Sequence, residues 1–298
     1  MVRYLVFGDL HLGYDGGSYT AREEGSYLRY DRLDLPTDRV DGVLLVGDVF
    51  DGDAGADRDA ARAFFEYLDA LPVPVAVVPG NHDPAPLYDG LLDGLDVAFA
   101  HERRLGPADG FDLPVVGWGC PDFLHREGVP SLSPEVPYAD LLGVPAVSSS
   151  PDEARRARDA AERVLDAGDR DRFATAADRA ADVYDALSEL LAGGPSLALT
   201  HLPPFGTELD TDNAYADGDV RHDGSLGLAL ALRENPPVAS LSGHHHNRGF
   251  PEGQHGGGTP PLLNVGYRTL VRVEVDAERD RVGWQARSLL DRFDADPP

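Results

Sequence analysis

Five short runs of β-branched and aliphatic residues recur along the chain, and each predicts a β-strand. Their apolar positions are continuous rather than alternating, which is the pattern of strands buried on both faces and is typical of parallel sheets. Glycine or polar residues follow each run closely, so each predicted strand ends in a turn. The predicted strands span residues 2–7, 42–46, 73–78, 196–200 and 238–242.

Helical spacing of apolar residues occurs in two places between these runs. Residues 57–71 carry apolar side chains three or four positions apart, among them Phe64 and Phe65, with Asp and Arg between them. This pattern predicts an amphipathic helix with one face in the core. The same spacing recurs over 151–193 and predicts further helix there. Two more strands are predicted within 95–117.

The segment 117–150 is rich in Pro, Gly and Ser and shows little periodicity. Long connections of this kind in compact domains are usually either functional or disordered, and both alternatives stay open. The sequence shows no repeat and no convincing domain boundary. We therefore interpret residues 1–298 as one domain with a loop and helical insertion at about 118–194.

Metal-binding side chains follow each of the five predicted strands. Because the carboxyl ends of parallel strands lie at one edge of a sheet, where open α/β sheets hold ligands, we expect these side chains to converge. Asp9 and His11 could instead be a solvated turn carboxylate beside an unrelated histidine, and the run of three histidines could chelate metal adventitiously at the surface. Their position directly after buried strands favours a specific site. In chain order they are Asp9 and His11, Asp48 and Asp51, Asn81, His201, and His244 with His246.

These oxygen and imidazole ligands are too many for one tetrahedral zinc ion. They suit two first-row divalent ions that share a carboxylate and keep open positions for water and substrate. The only cysteine is Cys120, so the sequence offers neither an internal disulfide nor a thiolate metal cage.

The composition is strongly acidic and says more about the solvent than about the substrate. The net charge is −26, all 26 basic residues are Arg, and Asp outnumbers Glu by 38 to 14. Such a surface is typical of a halophilic protein, because the screening length falls to about 3 Å at 1 M salt. An ordinary-salt protein whose acidic surface repels acidic partners is the alternative. The first residues resemble no export signal and no stretch of 18 apolar residues occurs, so we expect a soluble, cytoplasmic protein that enters no membrane.

Five sequence blocks resemble those of the calcineurin-like metallophosphoesterase family, in the family's order and across nearly the whole chain. The resemblance implies an α/β fold of four layers, an α/β/β/α sandwich, with a dinuclear metal site between the two sheets. The blocks are G-D-L-H at Gly8 to His11, G-D-V-F-D at Gly47 to Asp51, G-N-H-D at Gly80 to Asp83, T-H at Thr200 and His201, and G-H-H-H at Gly243 to His246.

The resemblance also implies a role for each site residue. Asp48 would bridge the two metal ions. His82 would act as an acid or transition-state donor, with Asp51 orienting it. The remaining ligands would divide between the ions, with Asp9, His11 and His246 on one and Asn81, His201 and His244 on the other.

The implied activity is hydrolysis of a phosphoester, either a monoester or a diester, by a water that two divalent metal ions activate. We expect manganese, with iron or zinc as alternatives, since sites of nitrogen and oxygen ligands with a bridging carboxylate accept all three. The segment from Thr200 to Asp210 is similar to prokaryotic predicted phosphoesterases.

Two alternatives to a small phosphoester hydrolase stay open. The first is a nuclease of the same fold, for which nucleic acid would be a substrate rather than a partner, although the chain lacks a basic track for a phosphate backbone. The second is a non-catalytic interaction module that kept the fold, since fold alone does not fix function. The complete ligand set disfavours this second alternative.

Overall fold

The computed structural model describes residues 1–12, 35–51, 55–120, 182–205, 207, 209, 211–212, 221–222, 224–246, 260–277 and 281–289. All nine predicted site residues lie within these ranges. The predicted loop after residue 120, and the part of the predicted 151–193 helix before residue 182, lie outside the described residues. The single domain with an insertion therefore stays a prediction.

Thirteen strands and three α-helices lie in the described part of the chain. The strands are β1 (Val2–Phe7), β2 (Gly42–Leu45), β3 (Val75–Val77), β4 (Val97–Phe99), β5 (Arg103–Leu105), β6 (Val115–Trp118), β7 (Leu197–Thr200), β8 (Thr211–Asp212), β9 (Arg221–His222), β10 (Ala239–Ser242), β11 (Leu262–Asn264), β12 (Thr269–Asp276) and β13 (Arg281–Ser288). The helices are α1 (Gly55–Asp69), α2 (described over 182–191) and α3 (Leu226–Glu234). Short 3₁₀ turns span Thr37–Arg39, Ala85–Tyr88 and Pro107–Asp109.

The strands form two large mixed sheets. The first has the order β13-β12-β1-β2-β3-β4, in which β1 to β4 are parallel and β12 and β13 are antiparallel additions. The second has the order β11-β10-β7-β6-β5, parallel except for β5. β8 and β9 form a third, two-stranded antiparallel sheet.

Three apolar layers hold the two sheets and the helices together. Successive residues of β1 alternate between two of these layers, because neighbouring side chains in a strand point to opposite faces. Tyr4 and Val6 pack in the layer between the sheets, with residues of β7 and β10. Leu5 and Phe7 pack with α1 on the outer face of the first sheet. A third layer places α2 and α3 against the outer face of the second sheet. The layer order is therefore α/β/β/α, which confirms the predicted fold.

Two expectations need correction. The five strands that precede the predicted ligands, called here the ligand-bearing strands, divide between both sheets rather than sharing one. β1, β2 and β3 lie in the first sheet and β7 and β10 in the second. Residues 95–117 form three strands rather than two. The additional strand, β5, has the sequence R-R-L, which gives no apolar run to detect. No helix in the described residues is long and apolar enough to cross a bilayer.

Candidate metal centre

The carboxyl ends of the five ligand-bearing strands meet at one end of the layer between the sheets. Backbone hydrogen bonds join the loops within the first sheet, where Asp9 N donates to Gly47 O at 2.9 Å and His11 N donates to Asp48 O at 3.1 Å. A further bond crosses from one sheet to the other, since His244 N donates to Asp9 Oδ1 at 3.0 Å. The loops of the two sheets are therefore fixed against each other where the predicted ligands lie.

Unusual backbone conformations cluster at this place. Only six non-glycine residues in the described ranges have a positive φ, and four of them are predicted ligands. Residues held in the left-handed region cost free energy and concentrate at functional sites, where the surrounding structure enforces them. The four are Asp9 (φ 48°), His11 (φ 46°), Asp48 (φ 50°) and His244 (φ 70°).

In the third block, G-N-H-D, steric contact explains why glycine occupies position 80. A Cβ added to Gly80 would lie 2.0 Å from Asp48 Oδ1 and 2.3 Å from Asp48 N. No side chain fits at such distances, so glycine at position 80 allows the loop after β3 to touch the loop after β2.

The first group of candidate ligands is Asp9, His11 and His246, whose potential ligand atoms all lie within 4.8 Å of one another. Asp9 and His11 are buried, and 26% of the His246 side chain is exposed. Burial raises the pKa of Asp9 to about 6. Among the described residues no hydrogen-bond donor reaches Asp9 Oδ2. A buried carboxylate oxygen without a donor is costly unless a cation binds it, so this group fits a metal ion.

The second group consists of Asn81, His201 and His244. Asn81 Oδ1 lies 2.8 Å from His201 Nε2 and 2.8 Å from His244 Nδ1. The other ring nitrogen of His201 hydrogen-bonds Val46 O at 2.7 Å, which fixes the orientation of the ring. An oxygen and two imidazole nitrogens thus converge on one point, and a metal-ligating histidine characteristically has its second nitrogen held in this way.

Asp48 lies between the two groups. Its Oδ2 is 3.4 Å from His201 Nε2 and 3.9 Å from His11 Nε2, so the same oxygen faces one imidazole of each group. Burial alone would raise the pKa of Asp48, but the charge of His201 and a hydrogen bond from it outweigh burial and hold the pKa well below its usual range. Asp48 is therefore an anion that faces one imidazole of each group.

The imidazoles differ in their electrostatics. Despite burial, which acts in the opposite direction, the Asp48 carboxylate raises the pKa of His201 to about 9. Burial, followed by repulsion from His201, holds the pKa of His244 well below its usual value, and burial with the nearby His11 lowers that of His246 to about 4. His244 and His246 are therefore neutral, and a neutral imidazole is the form that binds a metal ion.

His82 and Asp51 lie beside the first group. His82 Nδ1 is 3.1 Å from Asp51 Oδ1, so the two residues are in contact. The same oxygen also lies 2.5 Å from His11 Nδ1, so Asp51 contacts a predicted ligand as well. Burial would lower the pKa of His82, but the hydrogen bond with Asp51 outweighs it and raises the pKa. The His82 side chain is 34% exposed, compared with 26% for His246 and 2% for His11.

Comparison with known proteins places the chain in a family. Residues 2–248 match the calcineurin-like phosphoesterase family over most of the chain. The chain belongs to this family. Hydrolysis of phosphoesters and dependence on metal ions follow from this membership in general terms.

Individual proteins are only distantly similar to this chain. A crystal structure of phosphopantetheinyl hydrolase from Mycobacterium tuberculosis is similar to this phosphoesterase over 89% of each chain, with 18% sequence identity and a TM-score of 0.45. No curated protein matches the sequence significantly.

Asp83 is a site residue that the sequence did not single out. Its Oδ1 accepts hydrogen bonds from Gly80 N at 2.6 Å and Asp48 N at 3.0 Å. Its Oδ2 accepts from Val49 N at 2.7 Å and from the Tyr88 hydroxyl at 2.9 Å. Asp83 thereby joins the loops after β2 and β3 of this phosphoesterase. Asp83 ends the G-N-H-D block, but the sequence does not distinguish a carboxylate that joins two loops from a solvated carboxylate in a turn.

Proposed function

We propose that this phosphoesterase is a dinuclear metal enzyme that hydrolyses a phosphate ester. The observation that carries the proposal is the position of Asp48 Oδ2, which faces His201 of one ligand group and His11 of the other. One carboxylate that faces two sets of ligands suits a pair of cations lying close together. The first ion would be held by Asp9, His11 and His246, the second by Asn81, His201 and His244, with Asp48 between them.

The donor set limits which metals fit. It contains imidazole nitrogens and carboxylate or amide oxygens and no thiolate, a combination that suits manganese, iron or zinc. We expect manganese. When bound, two such ions neutralise the oxygens of a phosphoryl group and lower the pKa of water toward neutrality, which supplies the nucleophile.

His82 would assist departure of the leaving group. Its Nδ1 is engaged by Asp51, so its other ring nitrogen is the one left to meet the substrate. It is more exposed than Asp51, which is 17% exposed, and so the imidazole lies toward solvent with the carboxylate behind it. In this position His82 would donate a proton to the leaving oxygen, and Asp51 would hold the ring in place.

The test measures metal content and hydrolysis on one preparation. Protein stripped with a chelator should be inactive, and reloading with Mn²⁺ should restore activity together with two ions per chain by elemental analysis. A panel of phosphomonoesters, cyclic nucleotides, other diesters and DNA would identify the substrate class, and cleavage of DNA alone would favour the nuclease alternative. One ion or none in active protein, or activity that survives complete metal removal, would refute the dinuclear proposal.

A further inference from the structure

A sixth segment, outside the five sequence blocks, reaches the candidate site. It is the turn at 265–268 between β11 and β12. β11 pairs in parallel with β10 so that Asn264 lies beside Ser242, and Val265 N donates to Ser242 O at 2.8 Å. The turn therefore begins next to the strand end that carries His244 and His246.

The same turn ends beside the first sequence block. β12 runs antiparallel to β1 with Val271 opposite Val6, so the start of β12 lies at the carboxyl end of β1. The turn thus passes from the second sheet to the first at the edge where the metal ligands converge, between the segments that carry His246 and His11.

Arg268 fixes the end of this turn. Its φ is 44°, so it shares the left-handed backbone of the four strained ligands. Its Nε donates to Leu10 O at 3.0 Å, and only 4% of the residue is exposed. Leu289 N donates to its carbonyl oxygen at 2.8 Å. A buried guanidinium anchored on the residue before His11 explains how the strained conformation is maintained.

The Tyr267 ring contacts the imidazoles of His246 and His11. Its ring centroid lies 4.8 Å from that of His246, with 34° between the planes, and 5.9 Å from that of His11, with 38° between the planes. The Arg268 guanidinium carbon lies 4.8 Å from the centre of the same ring. All three separations fall in the range of favourable aromatic and cation–π contacts.

We propose that Tyr267 and Arg268 are positioning residues for the first metal ion. They act by holding the His11 and His246 imidazoles in their ligating orientation. This inference rests on the proposed dinuclear function. It applies to the first ion only, because the ligands of the second ion are ordered through Asn81 and Val46 instead.

The test compares two substitutions at position 267 by metal binding rather than by activity alone. Stripped protein is titrated with Mn²⁺, and the EPR signal of the free ion gives the affinity of each site. Two sites of equal affinity in the wild type would separate into two classes in the variant. Tyr267→Leu should weaken one class by about 10-fold, the lower end of the loss seen when outer-shell partners of metal ligands are removed, and leave the other unchanged. Tyr267→Phe keeps the ring and should bind both ions as the wild type does. Saturating Mn²⁺ should restore the kcat of Tyr267→Leu.

Arg268→Lys provides a second variant if the first does not fold. It keeps the charge but removes the planar guanidinium and the Nε donor, and it should weaken the same class of site. Wild-type affinity for both ions in folded Tyr267→Leu or Arg268→Lys protein would overturn the inference, as would an equal loss at both sites. Failure of the proposed function is a different result, in which the wild type itself fails to bind two ions.

Discussion

Gly80→Ala should damage the site through a single added methyl group. The new Cβ would lie 2.0 Å from Asp48 Oδ1 and 2.3 Å from Asp48 N. The second of these atoms belongs to the backbone, so rotation of the Asp48 side chain cannot relieve the clash. The loops after β2 and β3 must move apart, and Asp48 must leave the position from which it faces both ligand groups.

The size of the effect follows from these contacts. Ordinary van der Waals contact begins near 3.4 Å, so the clash demands a shift of more than 1 Å. Overpacking of this kind costs about 1–3 kcal/mol. The hydrogen bond from His82 N to Asp48 Oδ1, 2.8 Å long, would break and cost about 1 kcal/mol more. We therefore expect a loss of about 2–4 kcal/mol in the free energy of unfolding. Activity should fall by about 10²-fold, the usual consequence of a 1 Å misplacement in an active site.

The assay uses denaturant unfolding and Mn²⁺-dependent hydrolysis, with a second glycine as the control. A Cβ on Gly283, in β13, would meet nothing within 4 Å. Gly283→Ala should therefore leave activity unchanged and stabilise by about 0.4–1 kcal/mol, because alanine restricts the unfolded chain. Full activity in Gly80→Ala, with stability equal to that of the control, would refute the close contact between the two loops.

Three other predictions concern the bridging carboxylate, the acid and the solvent. Asp48→Asn should lose both metal ions and activity, whereas Asp59→Asn, an exposed acid on α1, should lose neither; two ions per chain in active Asp48→Asn protein would contradict the bridging role. His82→Asn should keep two ions and lose about 10²- to 10⁴-fold in rate on alkyl or nucleoside phosphates, but clearly less on a nitrophenyl ester whose leaving group needs no proton; equal losses on both substrates would exclude a general acid. The melting temperature should rise from low to molar salt, because salt screens the repulsion between acidic side chains in a folded protein of net charge −26. A melting temperature that stays flat or falls over this range would contradict the halophilic interpretation.

The strand ends, and the polar side chains that gather there, could be predicted because both signals are local. An apolar run such as that of β1, followed by Gly8 and Asp9, predicts a strand and a polar turn from a few neighbouring residues. The α/β/β/α order of layers was predicted from the resemblance of the five blocks to a known family. The division of the five strands between two sheets could not be read from the runs, because a strand buried on both faces has the same pattern in either sheet.

The supporting residues could not be predicted, because their roles depend on contacts between distant segments. Asp83 acts through backbone groups of residues 35 and 34 positions earlier, at Asp48 and Val49. Arg268 contacts Leu10, 258 positions away. In the sequence these residues are an ordinary turn carboxylate and an ordinary arginine, and only the folded chain distinguishes them.

The pairing of β1 with β12 has a consequence for synthesis of the chain on the ribosome. β1 leaves the ribosome long before β12, its partner on one side, which begins at Thr269. At about 5–20 residues per second, the interval between the two strands is roughly 15–50 s. During that time β1 has at most one neighbour, and an open strand edge invites pairing with other chains. A nascent chain truncated before β12 would keep this open edge even when every proposed metal ligand is present, since the last of them, His246, precedes β12. The topology thus leaves one edge of β1 open during synthesis, which is a constraint on biosynthesis rather than on catalysis.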